Sequence, residues 1–277
     1  TIEIGVNRTT TAPTGIGGNG AICIGGSTTL TANGGTLAAD GIYQWGTGYT
    51  VGSNIISGSG VSIVVSPTTS TVYWVRRLDV APCNTETNGV TREVVVGTSS
   101  IAPTSISGTS PMCFNNGTTP LTAVGGTLGT NGLYQWGTGA TIGANVISGQ
   151  TANVIYVNPA ATTTYWVRIV DAAPCSAPTA GVSFVLTVRS NSTNPTSITG
   201  TNVICEGGKT LLTASGGVLG AGGSYQWGTG NVIGSNIITG STNIISVEPS
   251  ATTTYWVRAL NASPCSVYNY GPTYTVT

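Results

Sequence analysis

Six cysteines stand at Cys23, Cys83, Cys113, Cys175, Cys205 and Cys265, and they are the side chains best placed to do covalent chemistry. They fall in successive pairs 60, 62 and 60 residues apart, and the pattern returns every 90 to 92 residues. Two thiols per repeat, in a chain with no histidine, make a poor ligand set for zinc. Independent reactive thiols would not need the pairing. The economical reading is one disulfide in each repeat, formed in an oxidising, extracellular setting. Closing a loop of that length contributes about 4 kcal/mol on the chain-entropy model.

Acid–base chemistry has little to work with. The acids are Glu3, Asp40, Asp79, Glu86, Glu93, Asp171, Glu206 and Glu248. Only Asp79 and Asp171 recur between repeats, and Asn261 replaces them in the third. Exchanging a carboxylate for an amide would disable a catalytic base, yet it suits a turn before the Pro-Cys step. Serines are plentiful, but no histidine is present to activate one. A calcium site on Asp40 or Asp79 lacks dense D-x-D spacing. These readings argue against an enzyme, a resident metal and a cofactor. Asn7, Asn116, Asn191 and Asn261 lie in N-x-S/T contexts, which matter only in a host that modifies them.

Aromatic residues carry the remaining signal. YQWGTG starts at Tyr43, Tyr134 and Tyr225, unchanged at a spacing of 91 residues. Its aromatics, Tyr43 and Trp45, Tyr134 and Trp136, Tyr225 and Trp227, alternate with Gln and read as the inward face of a strand. One glycine of the GTG is expected to take positive φ in a tight connection. A second motif, YWVR, places Trp74 with Arg76, Trp166 with Arg168, and Trp256 with Arg258. If Tyr73 and Val75 point inward, these Trp and Arg side chains point outward. An outward Trp beside an Arg is structural cover for the sheet, a sugar-stacking platform repeated in every domain, or a pair that faces the neighbouring domain and stiffens the array.

Charge excludes other partners. Only 6% of the 277 residues are charged, and the formal net charge is zero. No basic stripe is available for nucleic acid or an anionic membrane surface. No apolar run is long enough to cross a membrane as a helix. Apolar residues still reach 39%, enough for packed cores.

The positions of these residues follow from a threefold internal repeat. CIGGSTTLTANGG, CFNNGTTPLTAVGG and CEGGKTLLTASGG open the repeats, and linkers rich in Pro, Ser and Thr separate them. The boundaries read as 9–98, 99–190 and 191–277. Residues 1–8 resemble 91–98 and read as the last strand of an upstream repeat, so the chain reads as part of a longer array. Short alternating segments such as Ile42–Trp45, Val61–Val65 and Thr71–Leu78 favour strands, and no stretch has a 3.6-residue period. The expected fold is all-β: three tandem immunoglobulin-like β-sandwiches, each with one disulfide, arranged as an elongated array.

The combination of L-T-A-x-G-G, Y-Q-W-G-T-G, V-x-P-x-x-T-T-Y-W-V-R and a late Cys resembles the immunoglobulin-like or PKD-like repeats of large surface proteins of Bacteroidota, including gliding-motility adhesins. The resemblance spans essentially the whole chain. It implies export by the type 9 system, a location at the cell surface, and a stalk. The expected function is a non-catalytic spacer of a surface adhesin whose partners are the neighbouring repeats of the same long chain. Two alternatives stay open: a glycan-binding module using the outward Trp/Arg rows, and a subunit of a self-assembling filament.

Overall fold

The computed structural model describes residues 9–56, 58–81, 83–238, 240–266 and 270–277. The expected upstream strand at 1–8 lies outside these residues. Among the described residues every regular element is a β-strand.

The strands recur in matching sets. In the first repeat, Thr28–Asn33 lies between Gly15–Gly17 and Ser62–Val65. The facing sheet runs in the order Ala21–Cys23, Val90–Gly97, Thr71–Asp79, Gly41–Thr47, Ile55–Ile56. The second repeat places Thr119–Val124 between Ser105–Gly108 and Val154–Val157. Its other sheet orders Gly132–Thr138, Thr163–Asp171, Val182–Leu186, and Met112–Cys113 pairs in parallel with Val188–Arg189. The third repeats the plan, with Thr210–Ser215 central in one sheet and the order Ile237–Ile238, Ser224–Thr229, Thr253–Leu260, Thr273–Val276 in the other.

Alternation builds each core. Leu30 and Ala32 point inward from one sheet, as do Leu121 with Ala123 and Leu212 with Ala214. From the other sheet come Trp45, Tyr73, Val75 and Val94 in the first repeat. Their counterparts in the third are Trp227, Tyr255, Val257 and Val276. Neither sheet could cover this apolar face alone, so the two must meet.

The chain forms two compact units. One holds the described residues up to Pro103 together with Gly125–Gln135 and Arg168–Gly181. The other holds Thr104–Val124, Trp136–Val167 and Val182–Thr277.

The disulfides differ from the expected pattern. Cys23 bonds Cys175 and Cys113 bonds Cys265, each across 152 residues, while Cys83 and Cys205 are free thiols. Each bond thus joins the first cysteine of one repeat to the late cysteine of the next. The reason lies in where the strands end. Ala21–Cys23 runs parallel to Val90–Gly97 and sets Cys23 opposite Gly97, where the chain leaves the first repeat. Cys83 lies in the turn after Thr71–Asp79, at the opposite pole, where Asp79 binds Thr10 as the chain comes in. A bond between Cys23 and Cys83 would have to run the length of the sandwich.

Candidate functional site

YQWGTG and YWVR lie on adjacent antiparallel strands, and the register sets Trp45 opposite Val75 and Gly46 opposite Trp74. The first pair faces the core. The second is on the outer face of the sheet.

Trp45, Trp136 and Trp227 are fully buried, and Tyr43 and Tyr225 pack at the core's edge. Each indole N–H finds a carbonyl: Trp45 donates to Gly60 at 3.0 Å, Trp136 to Ala152 at 2.9 Å and Trp227 to Thr242 at 3.0 Å. Without that partner a buried N–H would cost about 1–3 kcal/mol.

The outer tryptophans are not exposed, which overturns the binding-row alternative. Trp74, Trp166 and Trp256 are all 0% accessible. Strand alternation does send them to the outer face, but two local devices bury them there. The first is the glycine of YQWG. A Cβ on Gly46, Gly137 or Gly228 would lie 2.1–2.2 Å from the indole, so the ring rests where a side chain is missing. The second is the loop after YQWGTG, which folds back over the ring. Trp74 donates to the carbonyls of Thr47 and Ser53, Trp166 to Thr138 and Ala144, and Trp256 to Thr229 and Ser235. Gly48, Gly139 and Gly230 take φ near +90°, and Asn54, Asn145 and Asn236 take φ of 46–48°, which turns the loop back.

The arginines close the lid. Arg76 donates from Nε to Gln44 Oε1 at 2.7 Å, Arg168 to Gln135 at 2.7 Å, and Arg258 to Gln226 at 2.9 Å. The Arg76 and Arg258 guanidinium carbons sit 5.8 and 5.7 Å from the neighbouring indole centroids. Arg76 also pairs with Glu86. These side chains are therefore held by the sheet as cover over the ring and do not form an open sugar platform.

Every letter of YQWGTG thus has a structural duty. The Tyr and Trp fill the core, Gln fixes the Arg, the first Gly seats the outer ring, the Thr carbonyl accepts from it, and the last Gly turns the chain. The sequence reading assigned no duty to Gln44 or Asn54 and took Gly46 and Thr47 only as part of a tight connection, although their identity in all three repeats was the available signal.

The Asp79, Asp171 and Asn261 position ties each linker down. Thr10 N–H donates to the Asp79 carboxylate at 3.1 Å, Ser100 N–H to Asp171 at 2.8 Å, and Ser192 N–H to Asn261 Oδ1 at 2.5 Å. The two aspartates also head the turn that carries the late cysteine: Asp79 N–H bonds Thr85 O, and Asp171 N–H bonds Ala177 O. The common requirement is one acceptor oxygen, which explains why Asp and Asn interchange. The Thr85 hydroxyl, and then the Thr10 N–H, hold the Asp79 carboxyl below the ordinary carboxylate value against the opposing effect of desolvation.

No three His, Cys, Asp or Glu side chains gather into a metal-binding group among the described residues. The cysteines form the second constellation. Cys23 Sγ is 3.2 Å from Ser99 Oγ, and Cys113 Sγ is 3.2 Å from Asn191 Oδ1, so both bonds rest against the linker that they bridge. Pro174, next to Cys175, packs on Gly97, where a Cβ would come within 2.7 Å of its ring.

Residues 193–277 match the family described as "Ig-like domain CHU_C associated". Among solved structures, the I-band fragment I67-I69 from titin superposes with a TM-score of 0.55 at 12% identity, covering 96% of this chain and 94% of that one. An E-to-A mutated variant of the same three titin domains gives 0.54, with the same identity and coverage. At this identity the likeness shows the fold: tandem immunoglobulin-like β-sandwiches. No curated protein matches the sequence significantly.

Proposed function

We propose that this chain, whose residues 193–277 form a CHU_C-associated immunoglobulin-like domain and whose other two repeats carry the same motifs in register, is a spacer segment of a large cell-surface adhesin. Each repeat, 9–98, 99–190 and 191–277, is one domain. The module is non-catalytic and works outside the cell, where its disulfides persist. Its role is to hold an adhesive part of the parent protein away from the cell and to transmit tension, as in surface attachment or gliding motility.

The observation that carries this reading is the covalent tie across each linker. Successive repeats are joined twice, once through the peptide chain and once through Cys23–Cys175 or Cys113–Cys265. A second connection limits bending and keeps the linker from stretching on its own. The recurring polar groups, by contrast, are used up in holding the fold.

Pulling the chain from its ends tests the reading. With both bonds intact the shortest covalent path runs from the N-terminus to Cys23, across to Cys175, back to Cys113, across to Cys265 and out. That path holds roughly a third of the peptide links, so full extension reaches roughly a third of the reduced length at ~3.3–3.6 Å per residue. If the oxidised and reduced chains extend equally under load, the spacer reading loses its support.

A further inference from the structure

Cys83 and Cys205 are free, yet each occupies a position that is bonded elsewhere in the same chain. Cys83 matches Cys175 and Cys265, the late cysteine in the turn after the long YWVR strand. Cys205 matches Cys23 and Cys113, the first cysteine of a repeat. Both observed bonds run in one direction, from a first cysteine to the late cysteine of the following repeat. Such a contact uses two different surfaces and does not close on itself.

The surface around Cys205 is open. Cys205 is exposed and lines a hollow of about 190 Å³ together with Ile204, Glu206, Pro249, Ser250 and Thr277. At the matching place in the first repeat, Pro174 and Cys175 are seated beside Cys23 and Gly97. The backbone there is already in its bonded form: Ile204 N–H donates to Thr277 O and Thr277 N–H to Asn202 O, the same edge pairing that positions Cys23 and Cys113. At the other pole, Cys83 is half-exposed in a turn with the same hydrogen bonds as the turn of Cys175, Asp79 N–H to Thr85 O and Asp171 N–H to Ala177 O.

We infer that Cys205 and Cys83 are complementary coupling points for a further immunoglobulin-like repeat of this same type: Cys205 receives the late cysteine of a following repeat, and Cys83 receives the first cysteine of a preceding one. The inference rests on the two bonds seen and not on the spacer reading. Its chemistry needs an oxidant of the disulfide class. One thiolate attacks a small-molecule disulfide and expels a thiol, and the second thiolate then displaces the remaining thiol, so two protein thiols and one disulfide yield one protein disulfide and two small thiols.

A second copy of the chain serves as the probe. Cys83→Ser and Cys205→Ser variants of the full chain are prepared with both structural bonds intact. Each is incubated in oxidised and reduced glutathione, alone and mixed, and read by non-reducing gels and by mass spectrometry of the cross-linked peptides. The mixture is expected to give a one-to-one dimer joined by Cys205 and Cys83, at least tenfold faster than either variant dimerises alone. The unaltered chain is expected to give a ladder of dimers, trimers and larger species through the same bond. Equal rates in all three samples would mean random thiol pairing and would overturn the inference. So would an unaltered chain that stays monomeric, or one that closes Cys83 onto Cys205 within a molecule. Maleimide labelling of a separate aliquot confirms one reactive thiol in each variant, and circular dichroism with a cooperative unfolding transition confirms that both are folded, so a failure to couple cannot be put down to misfolding.

Discussion

The indole of Trp74 lies on Gly46 so closely that a Cβ at Gly46 would be 2.2 Å from ring carbon Cζ2. Together with the loop that folds back over the ring, this contact buries Trp74 on the outer face of the first repeat. It also makes Gly46→Ala a sharp test. The added methyl must displace either the ring or the strand, so the variant is expected to lose about 1–3 kcal/mol. Gly15→Ala, at a strand position with nothing within 4 Å, is expected to change stability by less than about 0.5 kcal/mol. Denaturant midpoints for the two variants check the difference.

Trp74→Ala removes the ring altogether. The expected loss is about 3–5 kcal/mol, from the cavity and from the indole hydrogen bonds to the Thr47 and Ser53 carbonyls that go with the ring. Tyr49→Ala, which truncates a side chain 81% exposed, is expected to be near neutral. If Trp74 were an open ligand platform, its truncation would spare stability, so equal midpoints for the two variants would contradict the buried placement.

The disulfide pattern predicts an asymmetry among cysteines of the same repeat. Cys23→Ser breaks a bond that spans 152 residues, worth about 5 kcal/mol on the chain-entropy model. Cys83→Ser breaks none and is expected to leave the midpoint unchanged. Bonds confined within repeats would make the two variants equally damaging. Thermal unfolding under non-reducing conditions separates the two patterns.

Asp79 gives a pH dependence of defined sign. Its folded pKa is depressed, chiefly by the Thr85 hydroxyl and also by the Thr10 N–H. A depressed carboxylate contributes stability that is present above its unfolded value, about 3.9, and is lost as pH falls through the lower folded value. The hold on the linker at Thr10 is therefore expected to weaken below about pH 4. Asp79→Asn, which copies Asn261 of the third repeat, keeps the acceptor oxygen and removes the titration. Hydrogen exchange at the Thr10 amide, followed against pH in both proteins, is the measurement.

Much of the core is legible in the residue pattern. Leu30 and Ala32, Trp45, and Tyr73 with Val75 follow from alternation, because a strand whose side chains point up and down must send one set inward. The hidden duties of Gln44, Gly46 and Thr47 are less so. Their repetition marks them, but a glycine's task depends on which ring lies above it, and that ring comes from a strand some 28 residues further on.

The sequence by itself determined the threefold repeat, the strands and their inward faces, the use of Trp45, Trp136 and Trp227 as anchors, and the lack of a histidine or of an acid shared by all three repeats. These are matters of residue type and local period. The tertiary structure alone decided two things: that Trp74, Trp166 and Trp256 lie covered on the outer face, and that Cys23 reaches Cys175 while Cys83 stays free. Both depend on where segments distant in the chain come to lie. A loop folding back over a ring leaves strand alternation intact, and equal spacing of two cysteines does not reveal that they end at opposite poles of one sandwich.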